Sequence, residues 1–95
     1  MAKTELLDEP SVIDGNGNDK THSIVVHNDD HNSFDWVIRS FVDILQHSPE
    51  QAEQCAYIIH HKQKCGVKNG ELEVLRPLKA ALVDRGLTAK IESSK

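Results

Sequence analysis

The sequence predicts an α+β fold: a two-layer sandwich in the order β-α-α-β-α-β, with a small three-stranded antiparallel sheet packed against three helices. Three observations carry this reading. Short runs rich in β-branched or alternating residues occur near both ends of the region and once in its middle. Between them, apolar residues recur three and four positions apart, the spacing of a helix with one buried face. Helix start and stop residues punctuate these stretches where the period changes. With 95 residues, the chain can build one compact core and no more.

Ser23-Ile24-Val25-Val26-His27 is short and β-branched and reads as the first strand. Asn28-Asp29-Asp30-His31-Asn32 follows as a polar turn. Asn32 or Ser33 can cap the first helix, and Asp35 in its first turn suits the helix dipole. Phe34, Val37, Ile38, Phe41 and Leu45 share one face of that helix and are expected to be buried. Ser48-Pro49-Glu50-Gln51 places a cap, a first-position proline and a capping-box glutamine in register, the clearest local signal in the chain. Ala52, Cys55, Ala56 and Ile59 mark the buried face of this second helix. Lys64-Cys65-Gly66-Val67-Lys68 alternates as a strand and is expected to close at Asn69-Gly70. A third helix is expected from about Glu71 to Arg85, burying Val74, Leu75, Leu78, Ala81 and Leu82 and stopping at Gly86. Pro77 should kink that helix or delay its start. Leu87 to Glu92 reads as the last strand, with Leu87, Ala89 and Ile91 on one face.

Residues 1–22 read as a flexible N-terminal tail and 23–95 as the folded domain. Asp14-Gly15-Asn16-Gly17-Asn18-Asp19 has nothing to bury, and Leu6, Leu7, Val12 and Ile13 either stay solvated or touch a partner. The tail holds Glu5, Asp8, Glu9, Asp14 and Asp19 against Lys3 and Lys20, so most of the formal charge of −4 lies there. The domain is close to neutral, with no basic stripe to follow phosphates, which argues against nucleic acid. No stretch is long and apolar enough for a membrane span, and Met1 to Glu5 lacks the layout of a secretory signal. Cys55 and Cys65 are the only cysteines. Two scattered thiols fit a reducing, cytoplasmic setting.

Polar groups with chemical potential gather in two places: the loop His27 to Asn32, and the end of the second helix, Ile59-His60-His61. Asn28-Asp29-Asp30 has the composition of an ordinary turn. It also offers three acceptors in succession beside apolar Val26 and Phe34, a seat for an ammonium group with an apolar appendage. His60 has an ordinary place at a helix C-terminus, where the dipole favours it, and His61 is expected to be solvated. The histidines lack the tight paired spacing of zinc ligands, so no metal is expected. No cofactor is expected, since there is no phosphate-cradling glycine loop. No nucleophile elbow or cysteine–base pair is present either, and the chain is expected not to be an enzyme.

From Ser23 to Glu92 the chain resembles the ClpS family, adaptors of bacterial Clp unfoldase–protease machines. The resemblance rests on Ile24-Val25-Val26-His27 running into Asn28-Asp29-Asp30, and on Phe34-Asp35-Trp36-Val37-Ile38. It extends through Ala52-Glu53-Gln54 to Ile59-His60, then Lys64-Cys65-Gly66-Val67 with Gly70-Glu71, and Gly86 to Glu92. Asn-Asp-Asp alone is a weak signal, but the set in this order is specific. The resemblance implies an adaptor that binds proteins by a large hydrophobic N-terminal residue (Leu, Phe, Tyr or Trp). It would deliver them to a Clp ATP-dependent machine, docking on the N-terminal domain of a ClpA- or ClpC-type AAA+ unfoldase as a monomer. The implied site has Asn28, Asp29 and His60 holding the α-amino group and first peptide unit, with Asn32 assisting at the rim. Phe34, Val37, Ala56, Ile59 and Leu87 would line the pocket, and Glu71 and Arg76 would face the unfoldase. The tail would serve delivery. Against the family pattern, the segment between His60 and Val67 is about two residues short. Ala56 replaces a larger side chain, and Phe34 stands where a flexible methionine is common. The alternative is a domain of the same fold that docks on an unfoldase without reading N-termini.

Overall fold

The computed structural model describes residues 22–93. The expectation of a tail falls on residues 1–22 and, but for His22, lies outside the described residues. The elements are β1 (His22–His27), α1 (Phe34–Leu45), α2 (Pro49–Lys62), β2 (Lys64–Gly70), α3 (Leu72–Asp84) and β3 (Thr88–Ser93). They form an α+β fold in the expected order. One antiparallel sheet, ordered β2-β1-β3, packs against three helices. No helix among the described residues is long and apolar enough to cross a membrane.

Local chemistry places the helix ends. Ser33, not Asn32, caps α1: its Oγ accepts from the Trp36 N–H at 3.1 Å. Ser48 caps α2 in the same way through Gln51 at 3.1 Å, with Pro49 at the first helical position, where its missing N–H costs nothing. At the end of α3, Gly86 takes φ +91°. The Gly86 N–H donates to Val83 at 2.8 Å and the Leu87 N–H to Leu82 at 3.1 Å, a Schellman closure. Helix α3 begins at Leu72, ahead of Pro77, and runs through it. The proline therefore does not delay the start; it removes one hydrogen bond inside the helix, to the exposed Glu73.

The core joins Ile24 and Val26 of β1 to Phe41 and Leu45 of α1. Ala52 and Ile59 come from α2, Val67 from β2, Leu75 and Leu82 from α3, with Leu87 and Ala89 at the far edge. Three expectations need correction. Phe34, placed on the buried stripe, is 41% exposed, because it is the first residue of α1 and lines the open cleft. Val74 is 52% exposed, since in the first turn of α3 it lies on the flank of the arc formed by Leu75, Leu78 and Leu82. Asn69 and Gly70 do not end β2 but extend it, pairing with Ser23 and His22.

Register shifts where Ile24 faces Lys68 and Val25 faces Gly66, so Val67 is the extra residue of a bulge. Its side chain stays in the core, and its carbonyl lies 3.0 Å from Nε2 of His47. His47 is 5% exposed, rests against the Phe41 ring, and leaves Nδ1 buried without a partner. A carbonyl can only accept, so the ring carries the proton of this bond on Nε2. Burial pushes its pKa below the ordinary histidine value; the Val67 carbonyl opposes this weakly and Lys68 adds to it. The unfolded chain therefore takes up a proton first as pH falls. His47's contribution to stability is fully present above about pH 6.5 and is lost below it, towards the lower folded-state value. Urea unfolding between pH 5 and 7.5 should show this slope, reduced in His47→Gln. Equal slopes in the two proteins would remove His47 as its source.

Candidate functional site

The site forms where the β1–α1 loop meets the end of α2. β1 stops at His27 and the next backbone group is captured across the fold: the Asn28 N–H donates to the Gln63 carbonyl at 2.8 Å. The loop then folds around Asp29. Its Oδ1 accepts from the His31 N–H (3.0 Å), the Asn32 N–H (3.2 Å) and Asn32 Nδ2 (2.9 Å). Its Oδ2 accepts from Asn32 Nδ2 (3.1 Å) and the Thr88 hydroxyl (3.1 Å). Asn32 Nδ2 also donates to the Gly86 carbonyl at 2.8 Å, tying the loop to the connection between α3 and β3.

Burial pushes the Asp29 carboxyl pKa up, but the bonds from His31, Asn32 and Thr88 outweigh it and hold the group below the usual carboxylate value. Asp29 is thus an anion near neutral pH whose lone pairs are already engaged. It supplies negative charge and holds the loop's geometry.

A cleft of about 410 Å³ opens against this loop, walled by Asn28, Asp29, Asp30, Asn32, Phe34, Val37, Ala56, Ile59 and His60. Acceptor-rich groups of the loop and His60 form its polar side. Phe34 and Val37 of α1 and Ala56 and Ile59 of α2 form its apolar side. Eight of the residues singled out from sequence meet here: Asn28, Asp29, Asn32, His60, Phe34, Val37, Ala56 and Ile59. Leu87 does not. At 4% exposure it belongs to the core, because the Schellman turn at Gly86 directs it inward. Glu71, the N-cap of α3, and Arg76 are exposed and stand outside the cleft walls. Asp30 is a wall residue that the sequence offers as one of three acceptors in the loop but that the family resemblance did not include in the site. Thr88 and Gln63 were missed entirely, since their partners lie 59 and 35 positions away. Among the described residues, no group of three or more His, Cys, Asp or Glu is placed to hold a metal ion.

A two-layer α+β domain with a cleft that sets hydrogen-bond acceptors beside an apolar wall belongs to the class of small binding modules. The chain belongs to the ClpS family, ATP-dependent Clp protease adaptor proteins, whose model matches residues 17–90. ATP-dependent Clp protease adapter proteins ClpS from Campylobacter jejuni subsp. jejuni and subsp. doylei are each 29% identical to it over 98 residues. Those matches cover 97% of this chain and 98% of theirs. The fold is also that of Agrobacterium tumefaciens ClpS2, solved bound to L-phenylalaninamide, with a TM-score of 0.75 and 16% identity. That match covers 80% of this chain and 99% of the other. The family is one of protease adaptors rather than proteases, and the relatives are bacterial.

Proposed function

We propose that this adaptor captures proteins by a free α-amino group and a large hydrophobic first residue, Leu, Phe, Tyr or Trp. It then delivers them to a ClpA- or ClpC-type AAA+ unfoldase. The observation that carries the reading is the pairing of Asn28, Asp29 and His60 with the apolar wall Phe34, Val37, Ala56 and Ile59 in one cleft. The ligand in the Agrobacterium structure, an amino acid amide with a free amine and an aromatic side chain, has the two halves this cleft would separate.

Direct contacts fall to Asn28 and His60. Asp29 acts through its charge and by shaping the loop, and Asn32 acts at the rim by holding Asp29. Phe34 stands at the mouth. Glu71 and Arg76 face the unfoldase, and residues 1–22 serve as a leader during delivery from a monomeric, cytoplasmic adaptor. The energetics suit a transient complex. Burying one large apolar side chain contributes roughly 1.5–3 kcal/mol, and each charge-assisted bond to the ammonium contributes roughly 1.5–3 kcal/mol. After the cost of association, the balance is near the roughly −8 kcal/mol of a micromolar complex. Acetylation removes the charge and leaves acceptors unpaired.

Fluorescence anisotropy with peptides identical but for Leu, Phe, Ile or acetyl-Leu at the first position tests this. Micromolar binding of the Leu and Phe peptides, lost on acetylation, is expected. Binding of none of them would leave the fold without the proposed pocket and turn attention to a docking role alone.

A further inference from the structure

The residue that closes α2 has an unusual conformation and an unusual set of partners. Gln63 is its C-cap at φ 77°, a left-handed conformation in which glycine is the unstrained choice. Its backbone bonds hold the helix end to the loop: its N–H donates to the Ile59 carbonyl at 2.9 Å and its carbonyl accepts from the Asn28 N–H at 2.8 Å. Glycine would make both bonds equally well. Only a side chain explains a further pair of contacts. Gln63 Oε1 accepts from Asn28 Nδ2 at 3.3 Å, and Gln63 Nε2 donates to the His60 carbonyl at 3.4 Å. Gln63 thus bridges Asn28 and His60, the two residues to which direct contact with the ligand was assigned.

The direction of the first bond matters most. A planar amide has one donating and one accepting end. Engaging the Asn28 NH₂ with Gln63 leaves Oδ1 as the end still available on the cleft wall. Among the described residues, Oδ1 accepts no hydrogen bond. An ammonium group only donates, so it needs Oδ1 and is repelled by the NH₂. An Asn28 amide free to flip would present the wrong end part of the time and lower affinity by the population of the correct state.

We propose that Gln63 is the positioning residue of the cleft, orienting the Asn28 amide so that its oxygen is presented to the incoming α-amino group. This rests on the N-terminus-binding reading above. The end of α2 is closed by a residue with its own amide.

The test is a double-mutant cycle on the full chain, using a labelled peptide that begins with Leu and has a free amine. Gln63→Gly relieves the left-handed backbone, so its thermal midpoint should not fall below that of the wild type. Its peptide affinity should nevertheless drop three- to tenfold. In an Asn28→Ala background the same change should alter affinity by less than twofold, because the group it positions is gone. The Asn28 side-chain NH₂ resonances should also move towards their free positions in Gln63→Gly without peptide. Unchanged affinity and unchanged resonances in Gln63→Gly, with wild type binding normally, would overturn the positioning role alone. An equal loss in both backgrounds would do the same. A wild-type chain that ignores the peptide would overturn the N-terminus reading and this inference with it.

Discussion

Asn28→Ala should weaken binding of a Leu-initiated peptide by roughly ten- to a hundredfold, the equivalent of about 1.5–3 kcal/mol for one hydrogen bond to a charged group. The folded state should be nearly unaffected. The Asn28 backbone bond to Gln63 survives the change, and the side chain is exposed apart from its contact with Gln63 Oε1. Anisotropy measures the first quantity and urea unfolding the second. The prediction separates two models of the site. In a module that only docks on an unfoldase, Asn28 is a turn residue and its loss is silent in every binding assay. In the proposed site it is a direct acceptor for the ammonium, while Asp29, already bonded to His31, Asn32 and Thr88, acts from behind. Asp29→Ala should therefore combine weaker binding with a less stable loop, whereas Asn28→Ala shows the binding defect alone. A change in both quantities for Asn28→Ala would contradict this division of roles.

Phe41→Ala should have the largest effect on stability. The ring is fully buried at 0% exposure and touches His47, so its removal loses the transfer free energy and leaves a cavity. Such changes cost about 3–5 kcal/mol. For a domain of this size that corresponds to a fall in Tm of roughly 12 °C or more. The loss is a large part of the roughly 5–15 kcal/mol that holds a small domain together. Phe34→Ala provides the contrast. The same substitution seven positions earlier removes a ring that is 41% exposed at the cleft mouth, so its effect on Tm should be several times smaller. Calorimetry on both variants checks the pair, and similar losses would mean that the mouth of the cleft is part of the core.

The two phenylalanines also show where sequence reading reached its limit. Both fall on one helical stripe, and periodicity treats them alike. Phe41 is mid-helix and joins the core with Ile24 and Val26 of β1, while Phe34 is at the first position of α1 and lines the cleft. Period reports direction around an axis; how far the helix overhangs its partner depends on how the layers are stacked. Val74 is misplaced for a different reason: it lies on the flank of the arc formed by Leu75, Leu78 and Leu82. Leu87 is the opposite case: assigned to the pocket by resemblance, it is turned into the core by the closure at Gly86. Eight of the nine side chains that wall the cleft could be named in advance, because the family resemblance carries over to those positions.

What the amino-acid sequence determined by itself is the order and kind of the elements and most of their ends. Ser33, Ser48 with Pro49, and Gly86 act on backbone groups within a few residues, so their effect is written locally. The tertiary structure alone decided which of the loop's acceptors remain available. Thr88 adds a distant donor to Asp29, and Gln63 bonds the Asn28 amide, through contacts that join positions 59 and 35 residues apart. It also decided the bulge at Val67 and the burial of His47 beneath it. A hydrogen bond requires a donor and an acceptor to meet within about 3 Å. For residues this far apart in the chain, only the packing of helices on the sheet brings them to that distance.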